Sequence, residues 1–177
     1  MQFSKIALIG LLCFACDKNI TKQDSLFRQY AASVIGFSTE YNAPPGAWSS
    51  IEALGPENVY PAFGDIDSAW ASLSEDDQRE FIELGYDVNQ TVEKIEIFET
   101  YNPGAIDTVY LRDASTMQWQ LIWTDSAFIY GDTSRIFIIN ISETSYNVDG
   151  IRLDLNSPVV PGWNEIDAVA ISGIKEE

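Results

Sequence analysis

Apolar and polar residues alternate with a period of two through much of this chain, and the alternation predicts strands. In IRLDL, Ile151, Leu153 and Leu155 share one face while Arg152 and Asp154 take the other. KIEIF sets Ile95 and Ile97 together, and WQLIW sets Trp119, Leu121 and Trp123 on one face, where both tryptophans are expected in the core. RIFIINI, from Arg135, is apolar on both faces, the mark of a central strand. Further strands are expected at ASVIGF (32–37), REFIELGY (79–86), TVYLR (108–112) and EIDAVAI (165–171). The turn-rich pieces YNPG, RDAST, YGDTS and NSPVVPG separate them. One short helix is predicted where Ser49-Ser50-Ile51-Glu52 forms a capping box and Gly55 offers a stop. The sum is an all-β domain over residues 30–177, an eight-stranded antiparallel two-sheet sandwich with one short helix and with Trp70 in its core.

The N-terminus reads differently. MQFSK is followed by IALIGLLCFA, an apolar run too short to span a bilayer, so residues 1–15 are expected to be a secretory signal. The run stops at Cys16 and the polar DKNITKQDS follows. This resembles a bacterial lipoprotein signal, with Ala15 in the small-residue position, and it implies acylation of Cys16 and a lipid anchor in the cell envelope. Residues 16–29 then read as the lipidated cysteine and a flexible tether. Removal of residues 1–15 takes Cys13 away and leaves Cys16 as the sole cysteine, so stability is expected from the core and not from a disulfide.

Charge narrows the choice of partners. Ten Lys and Arg stand against 27 Asp and Glu, a formal charge of −17, which disfavours nucleic acid and anionic headgroups. There is no histidine, which removes Ser-His and Cys-His catalysis and leaves oxygen ligands and a hard cation as the expected metal chemistry. Paired carboxylates can hydrolyse glycosides. With 27 acidic residues, however, suitable spacing carries no specificity, and the expectation is a monomeric, non-catalytic module.

The order ALGPENVYPAFGDIDSAW, QREFIELGY, KIEIFETYNPGAIDTVYL, WQLIW, IRLDLNS and NEIDAVAISG resembles the galactose-binding-like, or discoidin-like, jelly roll. It is most similar to the discoidin-like domain of F-box and leucine-rich-repeat proteins and its secreted bacterial relatives, over residues 31–174. The resemblance implies ligand binding by loops at one end of the sandwich. Many relatives carry a structural Ca²⁺ held by an Asp-rich turn and a Glu at the start of the last strand. Here Asp65, Asp67 and Ser68 match the turn and Glu165 matches the closing Glu. The alternative for Glu165 is a solvated or Arg-paired carboxylate.

A carbohydrate site needs an aromatic plate with polar groups beside it. Trp48, Tyr60, Tyr101 and Trp163 lie in Pro- and Gly-rich turns where strand periodicity does not force them inward, and Asn102 and Asn164 neighbour two of them. These six residues are expected to form one shallow face that takes a neutral or cationic glycan. The alternative partner is a protein of an envelope complex.

Overall fold

The computed structural model describes residues 26–175. The expected signal, Cys16 and most of the tether lie outside the described residues. Nine strands follow in order: β1 (Phe27–Tyr30), β2 (Ser33–Phe37), β3 (Glu80–Gln90), β4 (Lys94–Tyr101), β5 (Ile106–Asp113), β6 (Trp119–Thr124), β7 (Arg135–Asn140), β8 (Val148–Leu155) and β9 (Glu165–Gly173). They form a four-stranded sheet, β1-β9-β4-β7, and a five-stranded sheet, β2-β3-β8-β5-β6, with every pairing antiparallel.

The core lies between the sheets. Ile82 and Leu84 from β3, Val109 and Leu111 from β5, and Ile151 and Leu153 from β8 face Ile95 and Ile97 from β4 and Val169 and Ile171 from β9. All ten are fully buried, and each such side chain contributes about 1.5–3 kcal/mol. The alternation read in IRLDL and KIEIF is therefore the alternation between core and outer face. Trp70 is fully buried, as expected, and the backbone on either side of it bridges to Ile166 of β9.

Four expectations are corrected. The eight strands become nine because FRQY, whose first three residues fell within the tether, pairs with β9 from Phe27↔Gly173 to Tyr30↔Ala170. The short helix is a single 3₁₀ turn, Ser50–Ala53, and the capping box does not form. Glu40 takes the Ser50 N–H at 2.8 Å, and the buried Ser49 hydroxyl has no partner. β7 is an edge strand, and its Ile138 is exposed. Finally, β6 carries a register break: Val109 pairs with Trp123 but Tyr110 with Leu121. The break sends Trp123 toward the core and puts Leu121, 58% exposed, on the outer face, with Trp119 beside Arg112. Neither Trp119 nor Trp123 is fully buried.

Two glycines fix the loops at one end of the sandwich. In the 102–104 turn Asn102 has φ 40° and Gly104 φ 113°, both left-handed. A Cβ on Gly104 would lie 2.0 Å from the Phe128 carbonyl oxygen, so this turn accepts only glycine there. Gly162, at φ 88°, lets the Pro161–Trp163 turn press against the Asn102 side chain, 2.6 Å from where a Cβ would stand. Glu99 closes the first turn, accepting the Gly104 N–H at 2.8 Å and pairing with Arg135 at 2.5 Å.

Candidate functional site at the loop end

Strand β9 starts with two buried carboxylates, and they have opposite surroundings. Asp167 is 1% exposed and sits at the register break between Phe98↔Ala168 and Glu99↔Ile166. Its oxygens accept the backbone N–H groups of Asn58 (3.1 Å), Val59 (3.2 Å) and Tyr60 (2.8 Å). It therefore pins the 58–60 segment across the outer face of the four-stranded sheet.

Glu165 is 0% exposed, and its Oε2 accepts one long bond from the Ile66 N–H at 3.4 Å. Its Oε1 has no hydrogen-bond partner. Burial pushes this carboxyl up to about 9, and the adjacent Asp65 carboxyl pushes the same way. The Ile66 N–H pulls against them. A buried acid with an orphaned oxygen calls for an explanation that the hydrogen bonds of the fold do not supply.

Above this carboxyl the 41–48 loop is zipped to the 67–71 segment. Tyr41 N–H donates to the Ala71 carbonyl (2.9 Å), Trp48 N–H to Asp67 (2.9 Å), and Ala71 N–H to Trp48 (3.2 Å). Trp48 itself is left-handed, at φ 56°. This backbone holds Tyr41 edge-on to Trp48 (centroids 5.3 Å, 69°) and to Trp163 (5.7 Å, 87°). Tyr41, Trp48, Asp65, Ala71 and Trp163 line a hollow of about 40 Å³. The indole nitrogens of Trp48 and Trp163, buried, have no hydrogen-bond partner, and neither does Asn164 Oδ1.

The expected glycan residues divide. Trp48 and Trp163 meet at the hollow. Tyr101 packs on Phe63 (5.5 Å). Asn102 and Asn164 tie the loops together: Asn102 Nδ2 donates to the Trp163 carbonyl (3.0 Å), and Asn164 Nδ2 to those of Asn102 (3.0 Å) and Val160 (3.1 Å). Tyr60 is outside the hollow, its ring packed on Phe98 at 5.5 Å. Of the expected metal ligands, Glu165 and Asp65 come together. Asp67 is exposed and accepts the Ser68 hydroxyl at 3.3 Å. No group of three acidic, His or Cys side chains suited to a metal occurs among the described residues. Tyr41 was missed, although its place in YNAPPG is the same kind of turn that singled out Trp48 and Trp163.

The two antiparallel sheets with loops gathered over one end make a jelly-roll β-sandwich, the fold of discoidin-like (F5/8 type C) domains. Within that class the chain belongs to the family described as Pappalysin-1, SD scarf domain, C-terminal, whose profile matches residues 19–177. It is 22% identical over 179 residues to F-box/LRR-repeat protein 4 of Bos taurus, matching 84% of this chain and spanning 29% of that relative's length. It superposes on chitosan-binding module 1 of a chitosanase/glucanase from Paenibacillus sp. IK-5 with TM-score 0.59 and 16% identity, covering 81% of this chain and 97% of that one. It superposes as well on XRCC1, from a structure of reduced XRCC1 bound to the DNA pol beta catalytic domain, with TM-score 0.61 and 8% identity over 82% and 99% of the two chains.

Proposed function

We propose that this chain is a non-catalytic carbohydrate-binding module that takes its ligand at the loop-end hollow and is anchored to a membrane of the cell envelope through acylated Cys16. The observation that carries the reading is the aromatic hollow of Tyr41, Trp48 and Trp163 beside a buried carboxyl with an unpartnered oxygen. A ring stacks on the C–H face of a sugar while the exposed Asp65 side chain addresses its hydroxyls. The likeness to a chitosan-binding module supports the ligand class. The hollow is small, so a single sugar residue held there binds weakly, with Kd on the order of millimolar. NMR titration with neutral and amino-sugar oligosaccharides tests this. Shifts at Trp48 and Trp163 that Trp163→Ala abolishes are expected, and no response to any sugar would contradict the reading.

A structural Ca²⁺ belongs to the same proposal. The side chains fit such an ion in part, because Glu165 Oε1 is unpartnered and Asp65 stands beside it, while further oxygens would have to come from the loop backbone. Bound there, the ion would hold Glu165 ionised. Melting temperature is expected to rise with Ca²⁺ and fall with chelator, and Glu165→Gln is expected to remove the difference. The anchor is tested separately by detergent-phase partitioning, which Cys16→Ala should abolish.

A second reading, a protein-interaction module of an envelope complex, is favoured by one observation. Phe128, Ile129 and Tyr130, consecutive in the β6–β7 loop, are all exposed, and the Phe128 and Tyr130 rings lie 6.2 Å apart. An apolar patch of this kind suits a protein partner better than a sugar.

A further inference from the structure

We propose a second carbohydrate-binding surface, on the outer face of the five-stranded sheet, that takes an uncharged oligosaccharide across Trp119, Tyr110 and Arg152. Tyr110, Trp119, Arg152 and Asp154 line an open hollow of about 200 Å³, well separated in sequence and in the fold from the loop-end residues.

The register places these side chains. Leu121, Tyr110, Arg152 and Glu83 lie in one row across β6, β5, β8 and β3, and Trp119 lies in the next row opposite Arg112. Trp119 is on this face only because β6 breaks register before Trp123. Phe81 of β3 closes the far side under the Arg152 guanidinium, 4.0 Å from the ring centroid. From β6 to β3 the platform spans three strand spacings, roughly 14 Å, so it suits a chain of sugars better than a single ring.

The polar groups are fixed in advance. Arg152 Nε donates to Asp154 (2.7 Å) and its Nη1 to Glu83 (2.8 Å), which locks the guanidinium over Phe81. Arg112 is held by both oxygens of Asp149 (2.7 and 3.0 Å) and lies over Trp119. Arg79 is held by both oxygens of Asp107 (2.7 and 2.6 Å). A ligand meeting these groups has little left to order.

Charge selects the occupant. Three of the five arginines among the described residues stand here, at 79, 112 and 152, in a chain of charge −17. Every one is matched by a carboxylate, from Asp107, Asp149, or Glu83 with Asp154. No free positive charge is left for an acidic polymer, and three cations against four anions leave no strong field for a basic one. Aromatic rings edged by locked, charge-balanced hydrogen-bonding groups fit an uncharged, polyhydroxylated chain.

The test is an NMR and calorimetric titration of the whole chain with uncharged gluco-, galacto- and N-acetylglucosamine oligosaccharides of two to six units, using wild type, Trp119→Ala, Trp119→Phe and Trp163→Ala. Expected are shifts at residues 108–112, 119–121 and 150–154 that strengthen with chain length. Trp119→Ala should weaken this binding about tenfold, Trp119→Phe should restore most of it, and Trp163→Ala should leave it intact. Shifts confined to Trp48 and Trp163 would overturn this proposal and leave the loop-end site standing. Failure of every sugar to bind would overturn both. Capture of a protein by this face, lost in Trp119→Ala without any sugar response, would overturn it as well.

Discussion

Glu165 and Asp167 are two residues apart on one strand, both acids and both buried, yet one is consumed by the fold and the other is not. Asp167 meets three backbone N–H groups of the 58–60 segment. Glu165 meets one, at 3.4 Å, and keeps an oxygen with no partner. A third buried acid, Glu99, resembles Asp167: it holds Arg135 and the Gly104 N–H, and these bonds close the 102–104 turn. Burial alone therefore does not mark a functional carboxylate. What separates Glu165 is burial without satisfaction, beside an aromatic hollow.

The largest effect that sharpens this contrast is expected at Arg135. Its guanidinium pairs with Glu99 and lies against the Phe128, Tyr130 and Phe137 rings. Arg135→Leu leaves a buried acid without its cation, and stability to urea should fall by about 3–5 kcal/mol. Next comes Asp167→Ala, which strands three N–H donors and should lower stability by about 3 kcal/mol. If either variant unfolds at the wild-type urea midpoint, the pinned acids are not structural and the contrast fails.

Glu165→Gln should move the other way, and its sign depends on pH. With its carboxyl pushed up to about 9, the folded chain holds a proton that the unfolded chain releases near 4.5. Stability from this group is full below 4.5 and is lost as pH rises through 9, by on the order of 1 kcal/mol per pH unit. Without metal, the Gln variant should match wild type near pH 5 and exceed it by about 3 kcal/mol at pH 8. Parallel pH profiles for the two would break the comparison. The smallest stability effect is expected for Trp163→Ala, about 1 kcal/mol or less, because its indole is half-buried at the rim of the hollow. Its loss should show in sugar binding and not in melting.

Much of the sandwich is legible in the sequence because a period of two reports burial directly, as in IRLDL and KIEIF. The misreadings have physical causes. FRQY is short and polar, and only β9, more than a hundred residues away, makes it a strand. RIFIINI reads as central because its outer face is apolar, but that face stays at an open edge. The break in β6 cannot be seen in WQLIW, and it turns Trp119 from an expected core residue into an outer-face one. At the site, Trp48, Trp163, Asp65 and Glu165 could be named from turn chemistry and from resemblance. The role of Asp167 could not, since its partners lie 107–109 residues away in sequence.

The central claim, that Glu165 serves a ligand site while Asp167 serves the fold, is tested most directly by carboxyl-carbon NMR of the whole chain, free and with the oligosaccharides above. A Glu165 titration midpoint near 9 that shifts when sugar binds, with the Asp167 carbon unmoved by sugar, is the expected result. A Glu165 that titrates near 4.5 and ignores every sugar would contradict it.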